Sequence, residues 1–183
     1  MTGATSAPRL SRWLAVVTAA VLAVVGFGVR PAHAAVSFVG HFTFVKNRSD
    51  PTNSRLNFVV LRNDPDRPRT VLSASWRAGS GDGSENACYR DHGWLPNGTY
   101  NVFAWKNHTG IITGHAFQLN DKKCSNGTPR TELFVHSSYP WSTSRYHSEG
   151  CIKLSNTDIN AAYNDFVAFF AINRWYSGML TVQ

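Results

Sequence analysis

Short segments with the alternating apolar pattern of β-strands run along most of the chain and constrain its fold more than any other feature. They are rich in Val, Phe, Tyr, Trp and Thr, the residue types that favour strands. Turn-forming runs such as Asn63-Asp64-Pro65-Asp66 and Pro96-Asn97-Gly98 separate them. The pattern predicts strands at 38–45, 56–61, 70–76, 99–105, 115–119, 132–135 and 179–182.

One segment near the C-terminal end has the period of a helix. Six apolar residues recur there at the spacing of a single buried helical face: Ile159, Ala162, Tyr163, Phe166, Val167 and Phe170. Ser155 or Thr157 can cap the start of this helix, since a side-chain oxygen at that position accepts from an unpaired N–H. We therefore predict a mainly β domain, mostly antiparallel, with one helix packed on it.

The first 34 residues have the organisation of a secretory signal peptide. Arg9 and Arg12 precede an apolar run at 13–25, and the small-residue pattern Ala32-His33-Ala34 follows it. An uncleaved anchor helix is the alternative, but the apolar run is shorter than the roughly 20 residues that span a bilayer. We expect residues 1–34 to be removed, without stable membrane insertion of the mature chain. Residues 35–183 are then expected to form a single exported domain.

The predicted mature chain is mildly basic. Residues 35–183 keep 15 of the 18 Lys and Arg residues and all 11 Asp and Glu residues, which gives a formal net charge of +4. A mild positive charge outside the cell suits an anionic polymer such as a cell wall. The basic residues are spread among acids and form no cluster, so the sequence argues against a nucleic-acid partner.

Three cysteines in an exported chain leave one thiol free if two of them pair. Cys88 and Cys124 both lie in polar segments rich in Gly, Ser and Asn, where a bridge closes easily. We predict a Cys88–Cys124 disulfide, worth about 3 to 4 kcal/mol in the chain-entropy account, and a free Cys151. The alternatives are that Cys151 pairs with one of the other two cysteines or is an inert buried thiol.

The free cysteine lies in the stretch HSEGCIKLS, after a predicted strand that ends at His136 and ahead of the predicted helix. Unpaired N–H groups at a helix N-terminus lower the pKa of a thiol, so we expect Cys151 to form a thiolate readily. Gly150 lets a substrate backbone approach closely and leaves N–H groups free to bind an oxyanion. These are the requirements of acyl transfer by a thiolate.

The segment TELFVHSSYPWSTSRYHSEGCIKLSNTDI resembles the active-site block of the L,D-transpeptidase catalytic domain. In that family a strand ends in His-Gly or His-Ser, a variable loop follows, and Ser-x-Gly-Cys comes next. Here residues 135–137 and 148–152 match the two motifs, and the upstream WLPNGTY at 94–100 is similar to the family's Thr-Pro-x-Gly-x-Tyr element. The resemblance covers residues 56–182 and implies a β-sandwich or barrel with one or two packed helices.

The resemblance also implies a Cys-His mechanism. Cys151 would be the nucleophile, His136 the base that activates it, and Ser137 the residue that orients the imidazole. Gly150 and Cys151 would present oxyanion N–H groups, and Ser148 would shape the loop. The implied substrate is a peptidoglycan stem peptide whose L,D bond is attacked to give a thioester, which an amine acceptor converts to a 3-3 crosslink. No metal or organic cofactor is implied, and we expect a monomer.

Four further residues are candidates for contact with the substrate. Tyr139 and Trp141 lie between the two motifs, where we expect them at the cleft or on a lid over it. Lys153 stands where many family members have Arg; it keeps a positive charge for a substrate carboxylate, with a solvated surface lysine as the equal alternative. Glu149 stands where many family members have His. An acidic residue at this position resembles a subgroup of L,D-transpeptidase-like proteins that cut peptidoglycan or exchange its terminal D-residues, including secreted antibacterial effectors.

Three alternatives stay open at this point. His147 lies in the same loop as Cys151 and is a second candidate base, although a residue held at a strand end is the better one. Hydrolysis by an L,D-carboxypeptidase, or exchange of D-amino acids, would use the same thioester. A non-catalytic wall-binding module would keep the fold without the chemistry.

Overall fold

In the computed structural model, which describes residues 36–64, 67–137 and 146–183, eight strands close into a barrel. Their bounds are β1 Ser37–Val45, β2 Ser54–Asn63, β3 Arg69–Ser80, β4 Gly98–His108, β5 Gly114–Leu119, β8 Phe134–Ser137, β9 Ile152–Leu154 and β10 Trp175–Val182. The order around the barrel is β1, β10, β4, β5, β8, β9, β3 and β2. Two short strands, β6 Lys122–Lys123 and β7 Pro129–Arg130, form a separate ribbon. A 3-10 turn at Pro51–Asn53 precedes β2.

Alternating burial along the strands fills the barrel with apolar side chains. In β4, for example, Tyr100, Val102 and Ala104 are buried and the residues between them are partly exposed. This is the period of two that places successive side chains on opposite faces of a sheet. Aromatic rings form much of the interior: Phe42 stacks on Phe58 with centroids 4.1 Å apart.

The helix α1, Asn156–Val167, contributes its apolar face to the same core. Ser155 is its N-cap, and the Ser155 Oγ accepts from the Asp158 N–H at 3.0 Å. The buried residues of the helix are Ile159, Ala162, Tyr163 and Phe166. Two residues of the predicted face differ: Val167 is exposed because the helix ends there, and Phe170 packs beside Phe166 from the chain beyond the helix. The prediction of a mainly β fold with one packed helix is confirmed.

Most strand pairs are antiparallel, but β1–β10 and β8–β9 are parallel. Parallel neighbours cannot be joined by a tight hairpin, so a longer connection joins β8 and β9. This connection, residues 138–151, carries the second sequence motif. The topology therefore brings the two motifs, which are separate in sequence, onto adjacent strands.

Candidate active site

The β8–β9 pair presents one face to the core and the other outwards. Val135 is in register with Ile152, and both are buried in the core. The next pair in register is His136 with Lys153. Because side chains alternate along a strand, His136 and Lys153 lie together on the outer face of the barrel.

His136 is buried with one ring nitrogen committed. Its Nδ1 lies 2.7 Å from the Ser137 carbonyl oxygen, and since a carbonyl only accepts, Nδ1 carries the proton in this contact. The Nε2 atom is then the basic nitrogen. Burial lowers the pKa of His136 to about 4, an effect that nearby Lys153 and His108 reinforce and the Ser137 carbonyl opposes. The imidazole is therefore neutral at pH 7 and able to accept a proton.

Cys151 is the free cysteine and is partly exposed. Its thiol donates to the Glu132 carbonyl oxygen at 3.6 Å, and the Phe134 N–H is hydrogen-bonded to the sulfur. Glu132 itself has a left-handed backbone with φ 56°, a conformation that costs a non-glycine residue of the order of 1 kcal/mol or more. The backbone leading into β8 thus holds the sulfur from two sides.

The thiol is protonated in the resting protein. Burial raises the pKa of Cys151 to about 11, and Glu149 acts in the same direction, while the Phe134 N–H, Lys153 and Arg130 oppose it. The prediction that a helix N-terminus lowers this pKa is wrong. The strand β9 separates Cys151 from α1, which begins at Asn156, and desolvation of the sulfur outweighs the opposing charges.

The strand register brings Cys151 and His136 together. Cys151 directly precedes β9 and lies two residues before Lys153, so strand period places it on the same outer face as His136. Adjacent strands are about 4.8 Å apart and two residues advance a strand by about 6.6 Å, so the two backbones are diagonal neighbours at roughly 8 Å. Side chains on one face can bridge that separation. A neutral imidazole beside a protonated thiol suits general-base activation at the moment of attack.

Ser148 fastens the loop that carries the cysteine. Its Oγ accepts from the Gly81 N–H at 2.9 Å and the Gly150 N–H at 3.1 Å, and donates to the Cys151 carbonyl oxygen at 2.6 Å. This uses the full capacity of a hydroxyl, one donor and two lone pairs. The Ser148 N–H also donates to the Gly81 carbonyl oxygen at 2.8 Å. Ser148 therefore links the loop after β3 to the loop that carries Cys151.

Side chains bind three successive carbonyl groups of the loop. The Glu149 carbonyl accepts from Arg130 at 3.1 Å, the Gly150 carbonyl accepts from Ser80 at 3.2 Å, and the Cys151 carbonyl accepts from Ser148. Ser80 is buried and its Oγ also accepts the Leu95 N–H at 2.9 Å. Each peptide plane of the loop is therefore fixed in orientation.

Of the two N–H groups predicted to bind an oxyanion, those of Gly150 and Cys151, only the Cys151 N–H remains a candidate. The Gly150 N–H is donated to Ser148 inside the loop, so it is not free as predicted. The N–H and C=O of a trans peptide point in opposite directions. Because Ser80 binds the Gly150 carbonyl, the Cys151 N–H of the same peptide points away from Ser80 and is the candidate oxyanion donor.

The other predicted site residues differ in their burial and in their distance along the chain from the Cys151 loop. Lys153 is half-buried beside His136 and in register with Gly79 of β3, and burial lowers its pKa. The Glu149 side chain is exposed, and its charge acts on both Cys151 and Lys153. Tyr139 and Trp141 lie outside the described residues. The alternative base His147 is half-buried in the turn just before Ser148.

The predicted disulfide is present. Cys88 and Cys124 are bonded, with their Cα atoms 5.4 Å apart, so the loop after β3 is tied to the β6–β7 ribbon. Within the described ranges, no helix is long and apolar enough to cross a membrane. The same part of the chain holds no group of three or more His, Cys, Asp and Glu residues suited to a metal ion.

Arg130 and Ser80 contact the loop around Cys151, and the sequence patterns do not predict either contact. Arg130 stands between Pro129 and Thr131 in a polar segment, and Ser80 stands in the run GSGDGS. Neither residue belongs to a motif or to an apolar period. The only signal was the position of Arg130 shortly before the strand that carries His136.

Comparison with known proteins adds little to this geometry. No protein-family model matches the chain, and no match is found among curated protein sequences. Among solved structures the chain is similar to that of Bdellovibrio bacteriovorus Bd1075, with a TM-score of 0.41 and 10% sequence identity. The similarity covers 78% of this chain and 46% of that one, so the chain spans about half the length of the Bdellovibrio protein.

Proposed function

We propose that the protein is a cysteine acyltransferase of the L,D-transpeptidase type that acts on peptidoglycan stem peptides outside the cytosol. The observation that supports the proposal is the strand register, which puts the free Cys151 near the buried, neutral imidazole of His136 on one sheet face. The carbonyl of Ser137 accepts from the His136 Nδ1–H, which leaves Nε2 as the basic nitrogen. The substrate class is what the resemblance of the two sequence motifs to L,D-transpeptidases implies.

The proposed reaction has two steps. In the first, the Cys151 sulfur attacks the carbonyl carbon of the L,D peptide bond while His136 takes the thiol proton. The Cys151 N–H binds the oxyanion. The C–N bond then breaks, the D-residue leaves as an amine with the proton from the imidazolium, and a thioester stays on the cysteine.

The second step decides the product. An amine of another stem attacks the thioester to give a 3-3 crosslink, a free D-amino acid gives exchange, and water gives a shortened stem. Glu149 is exposed and its charge acts on the thiol. An acidic residue at this position resembles the subgroup that cuts peptidoglycan or exchanges its terminal D-residues. Crosslinking is the first candidate, and hydrolysis or exchange on the same thioester is the second.

An exported location accompanies this proposal. The Cys88–Cys124 disulfide fits a protein of an oxidising compartment, since thiols stay reduced in the cytosol. The substrate class and the signal-like N-terminal sequence extend this to secretion and to association with the cell wall.

Incubation with tetrapeptide-stem muropeptides, followed by mass analysis of the products, tests the proposal. We expect shortened stems, exchanged stems or crosslinked dimers from the native protein and none from Cys151→Ala. His136→Gln should lose activity, whereas His147→Gln should retain it. Equal loss in both histidine variants would reject the assignment of the base. Wall binding without any product, unchanged in Cys151→Ala, would favour a non-catalytic module.

A further inference from the structure

Arg130 is a buried cation whose hydrogen-bond partners in the described residues are backbone carbonyl groups. It is 4% exposed, in the two-residue strand β7. Its guanidinium donates to five carbonyl oxygens, those of Ala87, Tyr89, Gly93, Trp94 and Glu149. Buried charges are ordinarily paired, so a guanidinium buried against neutral acceptors calls for a reason.

The first four carbonyls belong to the loop that follows β3, and the fifth belongs to the loop of Cys151. The Arg130 Nη2 atom lies 3.1 Å from the Glu149 carbonyl oxygen. The peptide between Glu149 and Gly150 is thereby held at both ends, by Arg130 at its oxygen and by Ser148 at its nitrogen. Arg130 therefore links the disulfide-bonded loop to the backbone that presents the nucleophile.

Gly150 is shaped around this guanidinium. A Cβ atom built on Gly150 would lie 1.9 Å from Arg130 Nη2 and 3.2 Å from the Gly93 carbonyl oxygen. The glycine of the Ser-x-Gly-Cys motif is thus needed here for the approach of a cation as well as for its positive φ of 118°. The positive charge comes to rest one residue away from Cys151.

We propose that Arg130 is a positioning residue of the candidate site: it fixes the Glu149–Gly150 peptide so that the Cys151 thiol and N–H face the substrate, and it stabilises the thiolate that forms on attack. This inference rests on the proposed function for its substrate but not for its effect on the thiol. The charges of Arg130 and Cys151 interact, which lowers the pKa of the thiol against the larger effect of burial.

Other charged groups lie near Cys151 and Arg130 and also affect the pKa values of these two residues. Around Cys151 these are Lys153 of β9 and Glu149 of its own loop, while the neighbouring His136 on β8 is neutral and is itself acted on by Lys153 and His108. Around Arg130 they are Asp91, Arg90 and Tyr100. A test has to change Arg130 alone and measure the thiol directly.

The experiment measures alkylation of Cys151 by iodoacetamide across pH, with the Cys88–Cys124 disulfide kept oxidised, in the native protein, Arg130→Lys and Arg130→Gln. Arg130→Gln should move the midpoint of alkylation upwards, because it removes a positive charge that opposes the effect of burial on the thiol. Arg130→Lys keeps the charge without the fork and should stay near the native midpoint. Arg174→Met removes an exposed arginine that lies over the Tyr176 ring, and it controls for the change in net charge.

Turnover on tetrapeptide stems is the second readout. Both Arg130 variants should lower kcat by roughly 10- to 100-fold with little change in KM, because a displaced nucleophile is not aligned for attack. A native alkylation midpoint in Arg130→Gln together with native turnover would overturn the inference. A fall in stability alone, with the midpoint unmoved, would also overturn it, because Arg130 would then be purely structural.

The two arms keep the proposals separate. Alkylation needs no substrate, so it decides the role of Arg130 even if no stem peptide is turned over. If Arg130→Gln does not fold, Arg130→Lys remains as the test variant because it keeps the positive charge. Native turnover in Arg130→Lys would then refute the positioning role. Absence of turnover in the native protein, with the alkylation shift intact, would reject the proposed function and leave the contact between Arg130 and the thiol in place.

Discussion

Replacement of Gly150 by alanine should destabilise the protein far more than the same replacement at Gly83. The two glycines have almost the same backbone, with φ of 118° and 120°. They differ in surroundings, since a Cβ on Gly150 would meet Arg130 Nη2 at 1.9 Å while a Cβ on Gly83 meets nothing within 4 Å. Gly83→Ala is therefore a matched control for the cost of the backbone conformation.

The magnitudes follow from two effects. An alanine with a left-handed backbone costs about 1 to 2 kcal/mol at either position. At Gly150 the guanidinium also has to move away from its carbonyl partners, and losing a hydrogen bond to a charged group costs about 1.5 to 3 kcal/mol. We therefore expect losses of about 2.5 to 5 kcal/mol for Gly150→Ala and about 1 to 2 kcal/mol for Gly83→Ala.

Urea unfolding followed by tryptophan fluorescence measures both values, provided that the slope with urea is the same in all three proteins. Arg130→Gln combined with Gly150→Ala completes the comparison, because the second change should cost less once the guanidinium is gone. Losses within about 0.5 kcal/mol of each other for the two alanine variants would refute the reasoning. They would mean that the Arg130 side chain moves aside freely and does not hold the loop.

Three further predictions concern the fold and its pH dependence. Because the pKa of His136 is about 4 in the folded protein and near 6.5 when unfolded, the unfolded state binds more protons between these values. Stability should therefore fall as pH drops from about 6.5 to about 4, by up to about 3 kcal/mol, and His136→Gln should flatten this part of the profile; an unchanged slope would contradict the buried neutral imidazole. Reduction of Cys88–Cys124, with 36 residues of separation, should lower the free energy of unfolding by about 4 kcal/mol, and a loss near zero would show that the bridge does not constrain the unfolded chain. Phe166→Ala should cost about 3 to 5 kcal/mol, against less than about 1 kcal/mol for the exposed Val167→Ala, and similar costs would place the helix face wrongly.

The barrel could be predicted from the sequence where strands are long and regular. The alternation in β1, β2 and β4 is continuous, and α1 has an unmistakable period and a capping serine. The strand β10 is longer than predicted because a bulge between Tyr176 and Leu180, with Gly178 at φ 66°, interrupts its alternation. The strands β6, β7 and β9 have two or three residues each, too few for any period to be recognised.

The candidate site was predictable where a local motif carries it. His136, Ser148 and Cys151 belong to two sequence motifs, which lie on the adjacent strands β8 and β9 or directly before β9, and Ser148 is hydrogen-bonded to the Cys151 carbonyl. Arg130 and Ser80 contact the same loop across 19 and 70 residues of chain, and no local pattern reports such contacts. The predicted lowering of the Cys151 pKa was wrong for a related reason, because burial raises this pKa and depends on the whole fold.

The mass of the intact protein after brief exposure to a tetrapeptide stem tests the central claim most directly. Acid quenching should trap a covalent adduct on Cys151 whose mass corresponds to the donor stem less its terminal D-residue. The adduct should be absent in Cys151→Ala and should accumulate more slowly in His136→Gln, because the thiol then lacks its base. An unmodified native protein under conditions in which the free Cys151 is alkylated would contradict the account, since an accessible nucleophile would then have failed to attack the proposed bond.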